Sequence, residues 1–324
     1  MKAIVYHNYG PPDVLKCEDV EKPAPKEDEV LIKVRATSVN PLDVGLMKGK
    51  PYSLRLVFGV FGPKTTRPGV DVAGVVEAVG GKVSQFKPGD EVFGACRGTF
   101  AEYVCAPDSK LARKPNNMTF EQAASVPVAG ITALQGLRDK GHIQPGQKVL
   151  VNAAAGGVGM FAMQIAKAFG AEVTGVCSTK SVKMVRAIGA DHVIDYTHED
   201  FTAGGLRYDI IFDCVCNHSL SECRRVLKAQ GCYITVGVQH QRWTIGLFAP
   251  MIKSLVLSPF ISQKLIIFLA RINKEDLTVL CELMQSGKIT PVVDRSYSLS
   301  EAVEAVRYFG EGHARGKVIL SLES

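Results

Sequence analysis

The stretch KVLVNAAAGGVGMFAMQIAKAFGAEVTGVCSTK, residues 148–180, decides the fold. An apolar run, KVLVNA, leads into a turn of small residues, AAAGGVG. An amphipathic segment, 157–169, leaves the turn, and a second apolar run, AEVTGVC, ends in Ser178-Thr179-Lys180. Strand, tight turn, helix and strand in this order make a dinucleotide-binding unit. One glycine lets the backbone approach a pyrophosphate, and a later one lets helix and strand pack closely. Gly156 and Gly159 take the second and third places of G-x-G-x-x-G, Ala154 stands in the first, and Gly157 and Val158 complete the turn. Unpaired N–H groups and the helix dipole then favour phosphate at the helix start. A site for NAD carries Asp or Glu about 20 residues further on, bonded to the ribose 2′-hydroxyl. This strand ends without an acid. The hydroxyls of Ser178 and Thr179 and the ammonium groups of Lys180 and Lys183, one helical turn apart, suit a 2′-phosphate instead. The expected cofactor is NADPH.

Outward from this unit the alternation continues through HVIDY (192–196), YDIIFDCV (208–215), a helical segment at 218–229 and GCYITVG (231–237). Near-continuous apolar strands alternating with helices predict a parallel sheet covered on both faces. Residues 1–125 have another rhythm. Short β-type runs such as EVLIKVRATSV (29–39), DVAGVVEAVG (71–80) and AEYVCAP (101–107) are separated by Pro- and Gly-bearing turns. That pattern predicts an irregular antiparallel β domain. Near the C-terminus a helix is expected over 273–287, with Asn273 as N-cap and Gly287 as its stop. A second helix begins near Leu299-Ser300-Glu301, and GKVILSL (316–322) reads as a closing strand. A lone strand after a helix needs a sheet to join, so the β domain is expected to be discontinuous. It would comprise residues 1–125 and 265–324, with the nucleotide-binding domain, 126–264, inserted.

Composition agrees with a globular chain of two domains: 324 residues, 46% hydrophobic and 22% charged. The 38 basic and 32 acidic residues leave a net charge of +6, but the cations are scattered. A nucleic-acid binder concentrates them, so that class is set aside. Nine cysteines form no C-x-x-C pair and sit mostly in apolar runs, where thiols pack as small hydrophobes. With no signal peptide in MKAIVYHNYG, which reads as a strand, a reducing cytoplasm is expected. The most apolar stretch, 245–272, is broken by Pro250, Lys253, Pro259 and Lys264, so it lacks the roughly 20 continuous apolar residues of a membrane span. It suits a core or a subunit interface, with peripheral membrane contact left open.

The chain resembles the medium-chain dehydrogenase/reductase superfamily, and more closely its zinc-free, zeta-crystallin-like quinone oxidoreductase branch. The resemblance runs over essentially the full length. It rests on VNPLD (39–43), PGVDVAGVVEAVG (68–80), PGDEVFG (88–94), GTFAEYV (98–104), VPVAGITALQGL (126–137), AAAGGVG (153–159), GADHVIDY (189–196), YDIIFDCV (208–215) and GHARGKVIL (312–320). It implies an α/β fold in which a Rossmann doubly wound parallel sheet is inserted into a GroES-like β domain, with the active site in the cleft between them. Zinc-dependent members carry Cys where this chain has Asn40, and His-Glu where it has Val70-Asp71. Their four-cysteine lobe is absent, since only Ala95, Cys96 and Arg97 separate PGDEVFG from Gly98. An amide and a valine do not make a zinc site, so no metal is expected. Without a Lewis acid to polarise a simple ketone, acceptors with their own electron sink remain: quinones and α,β-unsaturated carbonyls.

The resemblance also implies roles for individual residues. Asn40 either hydrogen-bonds the nicotinamide or the substrate carbonyl or simply fixes its loop. Thr132, in AGITAL, faces the nicotinamide, and Tyr52 either lines the substrate pocket or packs on the surface. Asp43 reads as a structural hydrogen-bonding residue. Lys180, Lys183 and Tyr196 lie in the 2′-phosphate region. Val215, Val236, Gly237, Gly316 and Lys317 are assigned to the cofactor on the same basis. Cys216 departs from relatives, which have glycine there. Residues 51–68, longer and more apolar than in many relatives, are expected to shape a pocket or lid together with 245–272. The segment 245–257 matches the strand through which relatives dimerise, so a homodimer is expected. The function read from all this is hydride transfer from NADPH to a quinone or enone. An enoyl-thioester reductase, and a nucleotide-binding or membrane-peripheral protein without turnover, stay open as alternatives.

Overall fold

The structure, a computed structural model, describes residues 1–50, 52–236 and 262–322, with Ser53, Leu54 and Val57 described by backbone alone. The chain divides into two compact units. One comprises Met1–Val128, Ile272–Gln285 and Pro291–Ser324, and the other Ala129–Arg271 and Ser286–Thr290.

The first unit opens with β1 (Lys2–Val5) antiparallel to β2 (Lys16–Asp19). Its central strand is β3 (Glu29–Ser38), followed by α1 (Pro41–Lys48) and the short α2 (Ser53–Phe58). Pro41 favours a helix start because its fixed φ is already helical and its missing N–H would be unpaired there. Then come β4 (Asp71–Val79), β5 (Glu91–Ala95), β6 (Tyr103–Pro107) and β7 (Leu111–Arg113). β3 pairs antiparallel with both β4 and β6, and β5 lies between β4 and β7. Valines at 30, 34, 72, 76, 92 and 104, with Ile32 and Leu111, form one core. β-branched side chains fit a pleated, buried surface, which is why this run of sequence makes strands. α3 (Phe120–Ala124) is capped by Thr119, whose hydroxyl accepts from Gln122 N. α4 (Pro127–Leu134) crosses from the first unit's residues into the second's.

The second unit holds β8 (Lys148–Asn152), α5 (Gly157–Ala168), β9 (Glu172–Cys177), α6 (Val182–Ala187), β10 (His192–Asp195), β11 (Tyr208–Asp213), α7 (Leu220–Arg225), β12 (Leu227–Thr235) and β13 (Lys264–Ile267). The strands are parallel, in the order β10-β9-β8-β11-β12-β13 among the described residues. Strand order reverses between β8 and β11. In such sheets ligands bind beyond the strand C-termini at that switch point, here the ends at Asn152 and Asp213. Two details differ from the sequence expectation. The helix expected over 218–229 ends at Arg225, because Leu227 onward joins β12. The expected boundary at 264/265 falls inside β13, whose pairing with β12 keeps residues up to Arg271 in this unit. Gly237 and the apolar stretch 245–257 lie outside the described residues.

The chain then adds α8 (Lys274–Gln285), β14 (Val293–Ser298), α9 (Ala302–Gly310) and β15 (Lys317–Ser321). Asn273 Oδ1 accepts from Asp276 N at 2.7 Å, and Gly287 at φ 69° follows the helix end. β15 runs antiparallel to β3, with Ile319 opposite Ser38, and parallel to β14. The closing strand therefore completes the first unit's sheet, as a Rossmann sheet inserted into a β domain requires.

Candidate functional site

At the glycine turn Ala153 adopts φ 65° and Ala154 is fully buried. The Ala154 methyl has room because a Cβ on the facing Gly175 would lie only 3.0 Å from it. The turn thus keeps a methyl in the first glycine position by omitting one on the neighbouring strand. Gly159 has no such latitude, since a Cβ there would lie 2.1 Å from the Ala153 carbonyl oxygen. Gly156 precedes α5 in an extended conformation and supplies no side-chain cap. The first N–H groups of α5, at Gly157, Val158 and Gly159, have no acceptor within the helix, the condition in which an anion stabilises a helix start. This cradle fits a pyrophosphate.

The adenosine end lies where β9 and β10 finish side by side. Asp195 is in register with Cys177, and Tyr196 N donates to Cys177 O at 3.0 Å. Ser178 is half-buried, while Thr179, Lys180, Lys183 and Tyr196 are exposed, so the groups expected to meet a 2′-phosphate share one solvent-facing edge. One residue there escaped the sequence reading. Asp195 is an acid on the third strand, not the second. Hydrogen bonds from the Thr179 hydroxyl and from Thr197 hold its carboxyl below the usual range. Its oxygens serve this turn, with Thr197 N and Oγ1 at 3.0 and 2.7 Å.

At the switch point Asp213, fully buried, organises the end of β11. Its Oδ1 accepts from Asn152 Nδ2 at 2.9 Å, Val215 N at 2.9 Å and Cys216 N at 2.8 Å. Its Oδ2 accepts from Tyr233 Oη at 2.7 Å. Val236 N bonds the Asp213 carbonyl at 3.1 Å, which places Val215 and Val236 at one turn. Cys216 sits at φ 59°, a left-handed conformation that suits glycine, and the cysteine is held in it: Asp213 fixes its N–H, and its Sγ lies 2.6 Å from Thr235 Oγ1. Burial, with the Asp213 charge, pushes the Cys216 thiol up to about 11, and burial raises Cys214 well above the usual value. Both stay protonated at neutral pH and are poor nucleophiles.

In the first unit, Asn40 and Lys317 belong to one buried cluster. Asn40, Asp71 and Lys317 are 2%, 0% and 4% exposed. Asp71 Oδ2 accepts from Ser38 Oγ, from Asn40 Nδ2 at 2.9 Å and from Lys317 Nζ at 3.3 Å, while Oδ1 accepts from Val128 N at 2.9 Å. Lys317 Nζ also donates to Asn40 Oδ1 at 2.7 Å. Both ends of the Asn40 amide are therefore engaged within the protein, which favours the loop-fixing role for this residue. Asp43 accepts from Asn40 N at 2.8 Å and Gly69 N at 3.1 Å, and burial pushes its carboxyl up to about 7. Gly316 precedes this lysine at φ 119°, and a Cβ there would lie 2.4 Å from Val292 O. The Gly-Lys pair assigned to the cofactor thus turns the backbone sharply and sends an ammonium inward. Of the remaining expected residues, Thr132 is half-buried in α4 and Tyr52 is 56% exposed, with Arg55 stacked 5.0 Å from its ring centre.

The family described as alcohol dehydrogenase GroES-like domain matches residues 26–116, and the family described as zinc-binding dehydrogenase matches residues 188–320. The chain is 35% identical to the NADPH-dependent alkenal/one oxidoreductase, chloroplastic, of Arabidopsis thaliana, over 99% of this chain and 79% of that one. Among solved structures, the quinone oxidoreductase from Coxiella burnetii is 31% identical with a TM-score of 0.87, covering 100% of this chain and 99% of that one. The Escherichia coli quinone oxidoreductase complexed with NADPH is 26% identical with a TM-score of 0.83, covering 99% and 100%. The name of the second family implies zinc, but the residues present do not fit it. Val70 offers no donor, the Asn40 amide is spent on internal partners, and the Asp71 carboxylate is already paired with an ammonium. By sequence over its whole length and by fold, the chain belongs to the medium-chain dehydrogenase/reductase superfamily, in its quinone oxidoreductase branch.

Proposed function

We propose that the chain is an NADPH-dependent, zinc-independent reductase of quinones or α,β-unsaturated carbonyls. The observation that carries this reading is the buried cluster around Asp71, whose carboxylate oxygens are engaged by the protein's own Lys317, Asn40, Ser38 and Val128 N. A site built this way has no Lewis acid to offer a simple ketone, so the acceptor must delocalise its own developing charge. The names of the relatives, alkenal/one oxidoreductase and quinone oxidoreductase, support the same acceptor class.

When bound, NADPH supplies the hydride. The chain's part is to bind and orient. The N–H groups at Gly157–Gly159 take the pyrophosphate, and Ser178, Thr179, Lys180 and Lys183 meet the 2′-phosphate. The turn fixed by Asp213 holds Val215 and Val236 at the strand ends. Orientation and exclusion of water supply the rate, and solvent protonates the enolate or phenolate oxygen that receives the electron pair. Tyr52, Thr132 and Gly237 complete the proposed contacts.

The same reading carries three finer proposals: a cytoplasmic setting, a homodimer and peripheral contact with membranes. No helix among the described residues is long and apolar enough to cross a membrane. NADPH oxidation measured against 1,2- and 1,4-quinones, alkenals and an enoyl thioester tests the reading. Turnover with quinones or alkenals is expected. Turnover confined to the thioester would move the assignment to an enoyl reductase, and NADPH binding without turnover on any acceptor would end the enzyme reading.

A further inference from the structure

Asp43 and Asp71 are two carboxyl groups buried beside one ammonium, with exposures of 4%, 0% and 4% for Asp43, Asp71 and Lys317. Charges removed from water are retained only when paired and hydrogen-bonded. Here Asp71 is paired with the ammonium at 3.3 Å, Asp43 accepts from the backbone N–H groups of Asn40 and Gly69, and the lysine is aimed by its backbone. Lys317 N donates to Val292 O at 3.0 Å, and Gly316 makes the turn that a Cβ would block. The ammonium then touches both Asn40 Oδ1 and Asp71 Oδ2, and so selects one of the two orientations of the amide. With Oδ1 facing the ammonium, Nδ2 faces Asp71, and Asn40 N reaches Asp43. Thr37 extends the set, its hydroxyl donating to the Asp71 carbonyl at 2.6 Å and lying 2.7 Å from Thr99 Oγ1. A bound metal ion would do the same work of gathering carboxylate and loop around one positive charge.

We propose that the Lys317 ammonium is the resident cation of this site: a covalently attached charge that neutralises Asp71, sets the Asn40 amide and shuts out any mobile metal ion. Lys317 is thus a positioning residue, acting through Asn40 and Asp71. The inference deepens the zinc-independent reading above, but its test does not depend on any acceptor being found.

The experiment compares thermal unfolding of wild type with K317M, K317R, D71N and the double variant K317M/D71N. Zinc content is measured after purification in zinc-supplemented buffer. K317M and D71N each leave one buried charge unpaired and should melt at least about 5 °C below wild type. The double variant removes both charges and should melt above either single one, the signature of a coupled pair. K317R keeps the charge and should melt closer to wild type than K317M, which decides the matter even if K317M does not fold. Wild type should carry far less than one zinc per chain and melt unchanged in a chelator. Stoichiometric zinc, a K317M variant within about 1 °C of wild type, a double variant no better than the worse single, or a K317R variant no better than K317M would each overturn the proposal. NADPH turnover recorded on the same wild-type sample separates the two claims. Absent turnover with the melting pattern intact counts against the proposed activity alone.

Discussion

The glycine turn of the parallel-sheet unit and the polar cluster of the β unit handle charge in opposite ways. The turn gathers its parts from a few consecutive residues, 153–159, and leaves backbone donors open for a ligand's negative charge. The cluster gathers Ser38, Asn40, Asp43, Asp71, Val128 and Lys317 from across the chain and leaves its polar groups satisfied within the protein. The first is the proposed binding site because it is incomplete. The second is a scaffold because it is complete. The contrast teaches that what separates a binding site from a scaffold is whether its polar groups find partners within the protein.

The sharpest way to break this contrast is at Gly159. Val there would drive a side chain into the Ala153 carbonyl, 2.1 Å from its Cβ. G159V should weaken NADPH binding by about 100-fold or more, roughly 3 kcal/mol, as measured by calorimetry. Binding within threefold of wild type would mean that the turn does not carry the phosphates.

The next effect belongs to the cluster. Burial lifts the Asp43 carboxyl from 3.8 to about 7, so the folded chain holds this proton after the unfolded chain has released it. Between those values the folded state binds more protons, and the contribution of Asp43 to stability falls as pH rises. D43N removes that dependence. The stability difference between D43N and wild type should therefore shift in favour of D43N by on the order of 2 kcal/mol from pH 4.5 to pH 7. Urea unfolding at the two pH values measures it, and a constant difference would show that Asp43 is not held protonated.

How much of this the sequence disclosed depends on chain distance. The dinucleotide unit was legible because its strand, turn and helix are contiguous and each glycine serves a local backbone demand. The closing strand 316–322 was legible as a strand needing a sheet, and β3 supplies it. The cluster was not legible, because Asn40 and Lys317 are 277 positions apart and nothing near either residue names the other. The one available signal was an isolated Gly-Lys pair at the start of a buried strand, where a lysine must find an anion. Asp195 was not legible because an acid that meets a ribose is expected at the end of β9, while this one stands one strand over, on β10.

The adenosine edge should respond more mildly. Lys180 and Lys183 are exposed, so each contact with a 2′-phosphate is screened by solvent. K180A or K183A should reduce the preference for NADPH over NADH about fivefold, close to 1 kcal/mol, in paired binding titrations. A wild type that prefers NADH would overturn the 2′-phosphate assignment. The smallest effect is expected at Cys216. Glycine relieves the left-handed backbone but gives up the Thr235 contact, so C216G should melt within a few degrees of wild type.

Whether the chain is a metal-independent reductase is decided by steady-state oxidation of NADPH with a 1,4-quinone and with an alkenal, run with and without a strong zinc chelator. Turnover well above background is expected with at least one acceptor, unchanged by the chelator and faster with NADPH than with NADH. Tight NADPH binding with no turnover, or turnover that the chelator abolishes, would contradict it.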